Sequence, residues 1–384
     1  MKTRDLVPFR CTIMRCGTSK GIFLHKNHLP QDEARRDRVI LAIFGSPDPR
    51  QIDGLGGAEP LTSKLALIGP PTREDADVDY TFGQVEIGKP FIHYSGLCGN
   101  ISSGIGTFAI EEGLVRAEEP VTRVRVHSTN TQQVYTLDVP VRDGLPLAIG
   151  DYKVDGVPGT GAKVTVDMVG TVASMRKGLF PTGNKKDKLD IPGLGEVTVS
   201  VVDVVNPCAF IRAEELGLKG DEISKDMTKE VYGFMDVIRS KVAKLLGLEN
   251  WDLQESKDPT PFLAFVAAAR DYTNHLSGET VKGEDVDFLS RVYFLGSIHQ
   301  TYPGSISCVT AAAAKLPGTV VYELSRQSGS GTVRIGHPGG VIDVEAEAGT
   351  DAAGNDVIKK VTYGRTARRI MDGTVYVPRN LIER

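Results

Sequence analysis

Four short segments from the first half of this 384-residue chain recur, in the same order, in the second half. The matched ranges are 14–23 with 204–211, 63–68 with 261–266, 98–103 with 303–308, and 124–127 with 333–337. One such match could arise by chance, but four in a constant order predict two homologous domains of similar topology. A cleft between two such domains is a common ligand site.

Residue patterns between these segments predict the remaining elements. Runs rich in β-branched residues predict strands at 122–126, 134–139, 163–169, 196–205, 319–324 and 341–346. Apolar spacing and tight turns predict helices at 31–44, 102–115, 222–248, 282–294 and 307–315. The stretch 179–195 is rich in Gly, Pro and Lys and is interpreted as a linker. We therefore expect a first domain at 1–187 and a second at 188–384, with room for a C-terminal strand to return to the first.

Composition excludes several classes of function. The net charge is −4 and basic residues are mixed with acidic ones, which argues against a nucleic-acid partner. No apolar run approaches the roughly 20 residues of a membrane span, and residues 1–5 lead into no signal segment. We therefore expect a cytoplasmic protein without a membrane partner. Five widely spaced cysteines argue against both a disulfide framework and a zinc site.

Cys98 is the first candidate for chemistry. It stands just before a small-residue segment, where a helix N-terminus would offer unpaired backbone N–H groups and the positive end of the dipole. Such surroundings prepare a cysteine for proton transfer, and the N–H groups of Gly99 and Asn100 could also hold a carboxylate. The alternative is a buried cysteine that only packs.

Lys64 is the second candidate. It opens the apolar run 64–68, and a lysine is almost never fully buried unless it has a partner. A buried lysine is suited to act as a base, whereas an edge-strand lysine would extend its amine to water. The nearby loop at 15–21 lacks the residue order of a phosphate-binding loop. Its Thr18, Ser19 and Lys20 side chains could instead hold a carboxylate.

Comparison of the two halves concentrates the chemistry in the first. Phe262 and Pro303 stand at the places of Lys64 and Cys98, and neither can transfer a proton. The second half still offers a helix N-terminus at Gly304, Ser305 and Ile306. Two such termini facing each other would suit a substrate with two or more carboxylates.

These motifs resemble those of a known family. The chain is similar to the branch that contains 2-methylaconitate isomerase, 4-oxalomesaconate tautomerase and 3-methylitaconate Δ-isomerase, and its first half is most similar to the last. The resemblance is carried by MRCGTSKG at 14–21, FGSPD at 44–48, QIDG at 51–54, LTSK at 61–64, CGN at 98–100, NPC at 206–208 and RIGHP at 334–338. It implies an α+β, diaminopimelate-epimerase-like fold of two similar domains, each a curved, mainly antiparallel sheet around a central helix. Cys16 departs from the family's usual glycine and would put a small thiol near the pocket rim.

The resemblance also implies a reaction and its residues. The family's catalytic pair carries over to Lys64 and Cys98, which would move a proton along a three-carbon unit of an unsaturated polycarboxylate without metal or cofactor. Which of the two removes the proton stays open. The residues expected to bind substrate are Thr18, Ser19, Lys20, Thr62, Ser63, Gly99, Asn100, Ile101, His299, Gly304, Ser305 and Ile306. We also expect a homo-oligomer, either a dimer or a tetramer.

Two other functions remain as alternatives. An amino-acid epimerase or racemase would need two opposed bases at one carbon, and Pro303 argues against a second thiol. An accessory protein to an aconitase-like enzyme would need no acid/base pair, and the presence of Lys64 and Cys98 argues against it.

Overall fold

The protein is described here from a computed structural model that covers residues 5–94, 96–248, 260–294, 296–326, 329 and 331–383. These residues form two compact units. The first draws on Met1–Lys153, Gly159–Val166 and Arg365–Arg384, and the second on Val154–Pro158 and Asp167–Gly364. The boundary expected at 187/188 therefore differs from the observed division. Residues after Asp167 join the second unit because their backbone groups bond to its strands, as Ala173 N does to Asp203 O at 2.9 Å.

The elements of the described residues are numbered in chain order. The strands are β1 Leu6–Cys16, β2 Ser19–His25, β3 Lys64–Gly69, β4 Val78–Val85, β5 Ile92–His93, β6 Val121–Ser128, β7 Gln133–Arg142, β8 Leu145–Pro146, β9 Tyr152–Lys153, β10 Thr160–Gly161, β11 Val164–Asp167, β12 Asp187–Ile191, β13 Gly195–Val204, β14 Asn206–Arg212, β15 Phe262–Ala268, β16 Tyr272–Thr273, β17 Thr280–Val281, β18 Phe288–Phe294, β19 Ser297–Ile298, β20 Thr332–His337, β21 Gly340–Thr350, β22 Asp356–Arg365 and β23 Ala367–Pro378. The helices are α1 Glu33–Phe44, α2 Gly99–Ser102, α3 Ile105–Glu111, α4 Lys229–Leu245, α5 Gly304–Lys315, α6 Val320–Leu324 and α7 Arg379–Ile382. None of these helices combines the length and the apolar character that crossing a bilayer requires.

Strand pairing in the first unit follows the order β23–β1–β2–β3–β4–β6–β7–β8. The β2–β3 and β4–β6 pairs are parallel, and the others are antiparallel. The short helices α2 and α3 are buried against strands of this unit, α2 against β1 and β2 and α3 against β6 and β7. Helix α1 covers another part of the unit, where Ile40 and Phe44 join the core that also contains Leu65 and Leu67 of β3.

Strand pairing in the second unit repeats that of the first. The order β13–β14–β15–β18–β20–β21 has parallel pairs at β14–β15 and β18–β20 and antiparallel pairs elsewhere. This is the same sequence of pairings as β1–β2–β3–β4–β6–β7. The fully buried helix α5 packs against β13, β14, β20 and β21. The four matched segments of the sequence predict this repeated order of elements.

One side-chain contact is duplicated almost atom for atom. In the first unit, Asp77 accepts from Arg125 N at 2.7 Å and from Arg125 Nη2 at 2.6 Å. In the second unit, Asp287 accepts from Arg334 N at 2.8 Å and from Arg334 Nη2 at 3.0 Å. The two arginines belong to the fourth pair of matched segments, so the sequence repeat corresponds to a structural one.

Several predicted elements are confirmed and others are wrong. The helices expected at 31–44, 222–248 and 307–315 and the strands expected at 122–126, 134–139, 196–205 and 341–346 are present. The helix expected at 282–294 is instead a 3-10 turn at Gly283–Asp285 followed by β18. Strand β18 is buried almost throughout because β15 and β20 flank it. Its sequence FLSRVYF places Ser290 and Arg291 side by side, so it lacks the apolar/polar alternation that would separate strand from helix.

Three further expectations fail for local reasons. The strand expected at 319–324 is helix α6, since the Thr319 hydroxyl caps it by accepting from Tyr322 N at 3.1 Å. The linker expected at 179–195 contains β12, which pairs with β13 over five residues. The single helix expected at 102–115 is the α2–α3 pair, interrupted at Ser103 and Gly104.

Candidate active site

Lys64 is the first residue of β3 and is buried, with only 4% of its surface exposed. Its Nζ donates to the Oε1 of Gln84 at 2.8 Å and lies 5.5 Å from the centre of the Phe82 ring. Among the residues that the structure describes, none forms an ion pair with Lys64. The amine is therefore held by a neutral acceptor, so the alternative of a lysine reaching out to water is wrong.

Cys98 occupies the position just before helix α2. Its backbone is extended (φ −96°, ψ 102°) and its side chain makes no capping hydrogen bond. The Cys98 carbonyl accepts from both the N and the Oγ of Ser102, each at 2.9 Å, which closes the first turn of α2. Cys98 is a partly exposed residue, whereas Cys11, Cys16, Cys208 and Cys308 are buried. Cys98 is therefore the cysteine best placed to meet a substrate.

Gly21 of β2 connects the surroundings of Lys64 and Cys98. It pairs directly with Lys64 in the parallel β2–β3 ladder. A Cβ atom at Gly21 would lie 2.8 Å from Cδ1 of Ile101 and 3.0 Å from the carbonyl oxygen of Lys64. Because the residue has no side chain, α2 packs directly on the strand that neighbours Lys64. The two candidate catalytic residues thus belong to elements that meet at a single glycine.

The loop between β1 and β2 is tied to helix α2 and to the C-terminal segment of the chain. Asn100 donates through Nδ2 to Thr18 Oγ1 at 3.0 Å and accepts at Oδ1 from Arg365 Nε at 2.9 Å. Gly17 has a φ of +51°, and a Cβ there would lie 2.3 Å from the same Oδ1, so only glycine fits. The expected carboxylate-binding residues Thr18 and Asn100 are therefore brought together.

The side chains of Ser19 and Lys20 follow Thr18. Ser19 is 2% exposed, and its Oγ has no hydrogen-bond partner among the described residues. A buried hydroxyl without a partner is costly unless something supplies one. The Lys20 side chain is half-buried, and its backbone N donates to Leu61 O at 2.9 Å. Ser19 and Lys20 are the first two residues of β2 and follow Thr18 directly. Carboxylate binding by these three residues stays a prediction.

Three of the expected substrate-binding residues have contacts with neighbouring protein groups, and their contact with substrate stays a prediction. Ser63 is fully buried and donates through its Oγ to Gln51 Oε1 at 2.9 Å. The Ile101 side chain is fully buried beside Gly21, so any contact with substrate would be made by its backbone N–H. Thr62 is half-buried and donates to Glu59 O at 3.2 Å.

Cys16 is fully buried, so the expectation of a thiol at the pocket rim is wrong. A Cβ at Gly104 would lie 2.3 Å from its Sγ, which shows that the sulfur packs into the interruption between α2 and α3. Burial raises the pKa of the Cys16 thiol well above its usual range, Arg15 opposes the rise, and Cys98 adds to it. Cys16 therefore fills space as a neutral thiol.

The second unit carries the counterpart of this site without its chemistry. Phe262 begins β15 as Lys64 begins β3, and its ring stacks on Phe294 at 6.1 Å. Pro303 precedes α5, whose first residues Gly304, Ser305 and Ile306 are buried. His299 is buried, accepts at Nδ1 from Thr301 N at 3.1 Å, and borders a cavity of about 250 Å³ inside this unit. Substrate contacts by His299 and the start of α5 stay predictions.

Two residues of the site were missed by the sequence analysis. Gln84 is a polar residue in the otherwise buried strand β4, and Arg365 is a buried arginine at the end of β22. The sequence of β4, VDYTFGQV, does not single out Gln84, because Asp79 and Thr81 are polar residues of the same strand. The partner of Arg365 lies 265 residues away in the chain, so no local pattern links it to Asn100.

A family model described as PrpF protein matches residues 6–378. The chain belongs to the PrpF family. A 3-methylitaconate isomerase of Eubacterium barkeri is 46% identical over 97% of this chain and 98% of that protein. A 2-methyl-aconitate isomerase of Shewanella oneidensis is 37% identical over 96% of each chain. A (4E)-oxalomesaconate Delta-isomerase of Novosphingobium sp. is 37% identical over 98% of this chain and 99% of that protein.

Solved structures agree with the PrpF assignment. A crystal structure of methylitaconate-delta-isomerase is 45% identical, covers 98% of this chain and 97% of its own, and has a TM-score of 0.83. A hydroxyproline epimerase from Agrobacterium vitis has a TM-score of 0.60 at 14% identity, with 99% and 95% covered, and shares the fold alone. The expected family and the epimerase-like α+β fold class are confirmed.

Proposed function

We propose that this chain is an isomerase that shifts a proton across a three-carbon allylic unit of a small unsaturated di- or tricarboxylate. Its most favoured substrate is 3-methylitaconate, converted to dimethylmaleate. The relatives named isomerases support this reaction type, and the 46% identity to a 3-methylitaconate isomerase favours this substrate over the other two acids. The reaction uses the side chains of Lys64 and Cys98, and no step is assigned to a metal or an organic cofactor.

The observation that carries the proposal is the environment of Lys64. The amine is buried and bonded to the neutral Gln84, and its strand adjoins, at Gly21, the helix turn that follows Cys98. A proton-transfer group gives up and regains its proton during turnover, and the Gln84 amide places no opposite charge beside the Lys64 amine. The thiol of the partly exposed Cys98 at the same edge supplies the second group.

The reaction needs two proton transfers at the ends of one three-carbon unit. One group removes the proton from the carbon of 3-methylitaconate that carries both the methyl group and a carboxylate. The electron pair left on this carbon forms a new double bond to the neighbouring carbon, which until then was joined to the methylene group by a double bond. The former methylene carbon then takes a proton from the other group and becomes a methyl group. The intermediate between the two transfers is an extended enolate. Backbone N–H donors at Gly99 and Asn100 would stabilise its negative charge, and losing one such donor lowers the rate by about 10²–10³.

The loop residues favour a substrate that carries more than one carboxylate. Ser19 offers a buried hydroxyl without a partner, and Lys20 and Thr18 lie beside it in sequence. Binding a carboxylate there would satisfy the Ser19 hydroxyl and fix the three-carbon unit relative to Lys64 and Cys98. 2-Methylaconitate and 4-oxalomesaconate have the same features, so they are the alternative substrates.

Proton NMR in D₂O tests the proposal. The purified protein is incubated separately with 3-methylitaconate, 2-methylaconitate, 4-oxalomesaconate and a panel of amino acids. We expect turnover of 3-methylitaconate, with deuterium entering the new methyl group. Faster turnover of either other acid would reassign the substrate. Exchange at an amino-acid α-carbon, or no turnover of any compound, would contradict the proposed reaction and favour a racemase or an accessory protein.

A further inference from the structure

The side chain of Gln84 is oriented by three hydrogen bonds. Its Nε2 donates to Pro60 O at 3.2 Å and to Ser63 O at 3.1 Å. Both partners are carbonyls and can only accept, so the NH₂ end of the amide must point towards them. The Oε1 end is thereby directed at Lys64 Nζ, 2.8 Å away. The two carbonyls therefore fix the orientation of this amide, and Lys64 is not needed to set it.

The second unit has a counterpart of the Lys64–Gln84 pair in which the lysine is replaced. Lys64 pairs with Gln84 across the β3–β4 ladder. The corresponding β15–β18 ladder pairs Leu263 with Tyr293, and one step further in the same register Phe262 stacks on Phe294. The internal repeat therefore replaces both members of the pair together. A residue that served only the strand or the preceding loop would not need to change with its neighbour.

We propose that Gln84 is a positioning residue that aims the Lys64 amine and, by remaining uncharged, places no opposite charge beside it. This inference rests on the proposed function, since it assigns Lys64 to proton transfer. A carboxylate at position 84 would pair with the ammonium form and hold it. An apolar side chain would remove the acceptor and favour the neutral form.

Among the ionisable groups on the elements near Lys64, Asp79 and His25 have partners other than Lys64. The elements that flank it are β2, β4 and α2, and their titratable groups are Lys20, His25, Asp79, Tyr80 and the preceding Cys98. The Asp79 carboxylate is bound by His127 Nδ1 at 2.9 Å and by Thr72. Glu112 lies 3.2 Å from His25. Gln84 is therefore the position at which a change of charge should act most directly on Lys64.

The test compares Gln84→Met, Gln84→Glu and the control Gln51→Met. Gln51 is also a buried glutamine of the loop before β3, but it bonds to Ser46, Ala58 and Ser63 and not to Lys64. The control loosens the same loop by the same substitution. Gln84→Asn, which keeps the amide but shortens its reach, replaces Gln84→Met if that variant does not fold, and the same direction of shift is expected.

Lys64 is probed directly by the pH dependence of its acetylation with acetic anhydride, measured by peptide mass spectrometry. We expect the midpoint pH of labelling to fall in Gln84→Met and to rise by about one unit in Gln84→Glu, with no shift in Gln51→Met. The pH profile of kcat should move in the same directions, with kcat at neutral pH about tenfold lower and KM within about threefold of wild type.

The outcomes separate this inference from the proposed function. Midpoints that do not move, or that move in the same direction in both Gln84 variants, overturn the role of Gln84. A shift in Gln51→Met equal to that in Gln84→Met would assign the effect to the loop and also overturn it. If the wild type turns over none of the three acids, the proposed function fails, while the labelling midpoints still decide whether Gln84 controls Lys64.

Discussion

A Cβ atom placed on Gly21 would lie 2.8 Å from the Cδ1 of Ile101, so strand β2 and helix α2 are in direct contact. Gly21→Ala should therefore push α2 away from β2 and misplace Cys98 relative to Lys64. We expect at least a tenfold loss of kcat and a loss of about 1–3 kcal/mol in the free energy of unfolding. Steady-state kinetics and urea denaturation measure the two effects.

Two companion variants sharpen this prediction. Ile101→Val removes the Cδ1 atom and should restore part of the activity in the double variant with Gly21→Ala. Gly233→Ala is the control, because this exposed residue of α4 has no atom within 4 Å of a Cβ; it should leave activity unchanged. A Gly21→Ala enzyme with wild-type kcat would show that the spacing of α2 and β2 does not matter for catalysis.

Removal of either proton-transfer group should abolish turnover without unfolding the protein. Cys98→Ala deletes the thiol of a partly exposed residue with no capping role, and Lys64→Met replaces a buried amine by an apolar chain of similar length. We expect each variant to lose orders of magnitude in kcat while its circular dichroism is unchanged. A variant that keeps more than about a tenth of the wild-type kcat has its activation barrier raised by less than about 1.4 kcal/mol. That result would remove the residue from the mechanism.

Asn100 should affect substrate binding more than stability. Asn100→Ala breaks its bonds to Thr18 and to Arg365, so the carboxylate-binding loop is no longer held against α2. We expect KM to rise at least tenfold. Asn130→Ala is the control, since the side-chain bonds of Asn130 to described residues go to backbone groups of Phe82 and Tyr94 in the same unit. Equal effects on KM in both variants would mean that Asn100 acts through general stability.

Pro303→Cys tests whether the second unit has lost a catalytic thiol or never needs one. Pro303 precedes α5 as Cys98 precedes α2. We expect the variant to gain no amino-acid racemase activity and no increase in isomerase kcat, because the second proton-transfer group is Lys64. Appearance of α-proton exchange on proline or another amino acid in D₂O would contradict this assignment.

Chelation should leave the enzyme fully active. The mechanism assigns every proton transfer to a side chain and all charge stabilisation to backbone N–H groups. We expect the same kcat before and after dialysis against EDTA and no stoichiometric metal by elemental analysis. Loss of activity that a single divalent ion restores would show that the mechanism lacks a component.

The sequence alone was sufficient for the family, and it singled out Lys64 and Cys98 as candidates for the chemistry. The repeat places Phe262 and Pro303 opposite Lys64 and Cys98, and the strand registers of the two units agree with that alignment. Helix α1 was predictable for local reasons, since Asp32 caps it and Gly45 ends it in the left-handed region. Helix caps depend on residues that are neighbours in sequence, so they can be predicted from the sequence alone.

Tertiary structure decided the contacts between distant residues. Gln84 reaches Lys64 only because β4 pairs with β3 in one register, and Arg365 reaches Asn100 across 265 positions. The same holds for β18, which is a strand because β15 and β20 lie on either side of it. Local sequence sets which elements can form, whereas strand register sets which side chains meet. The partner of Lys64 therefore became known only once the strands were paired.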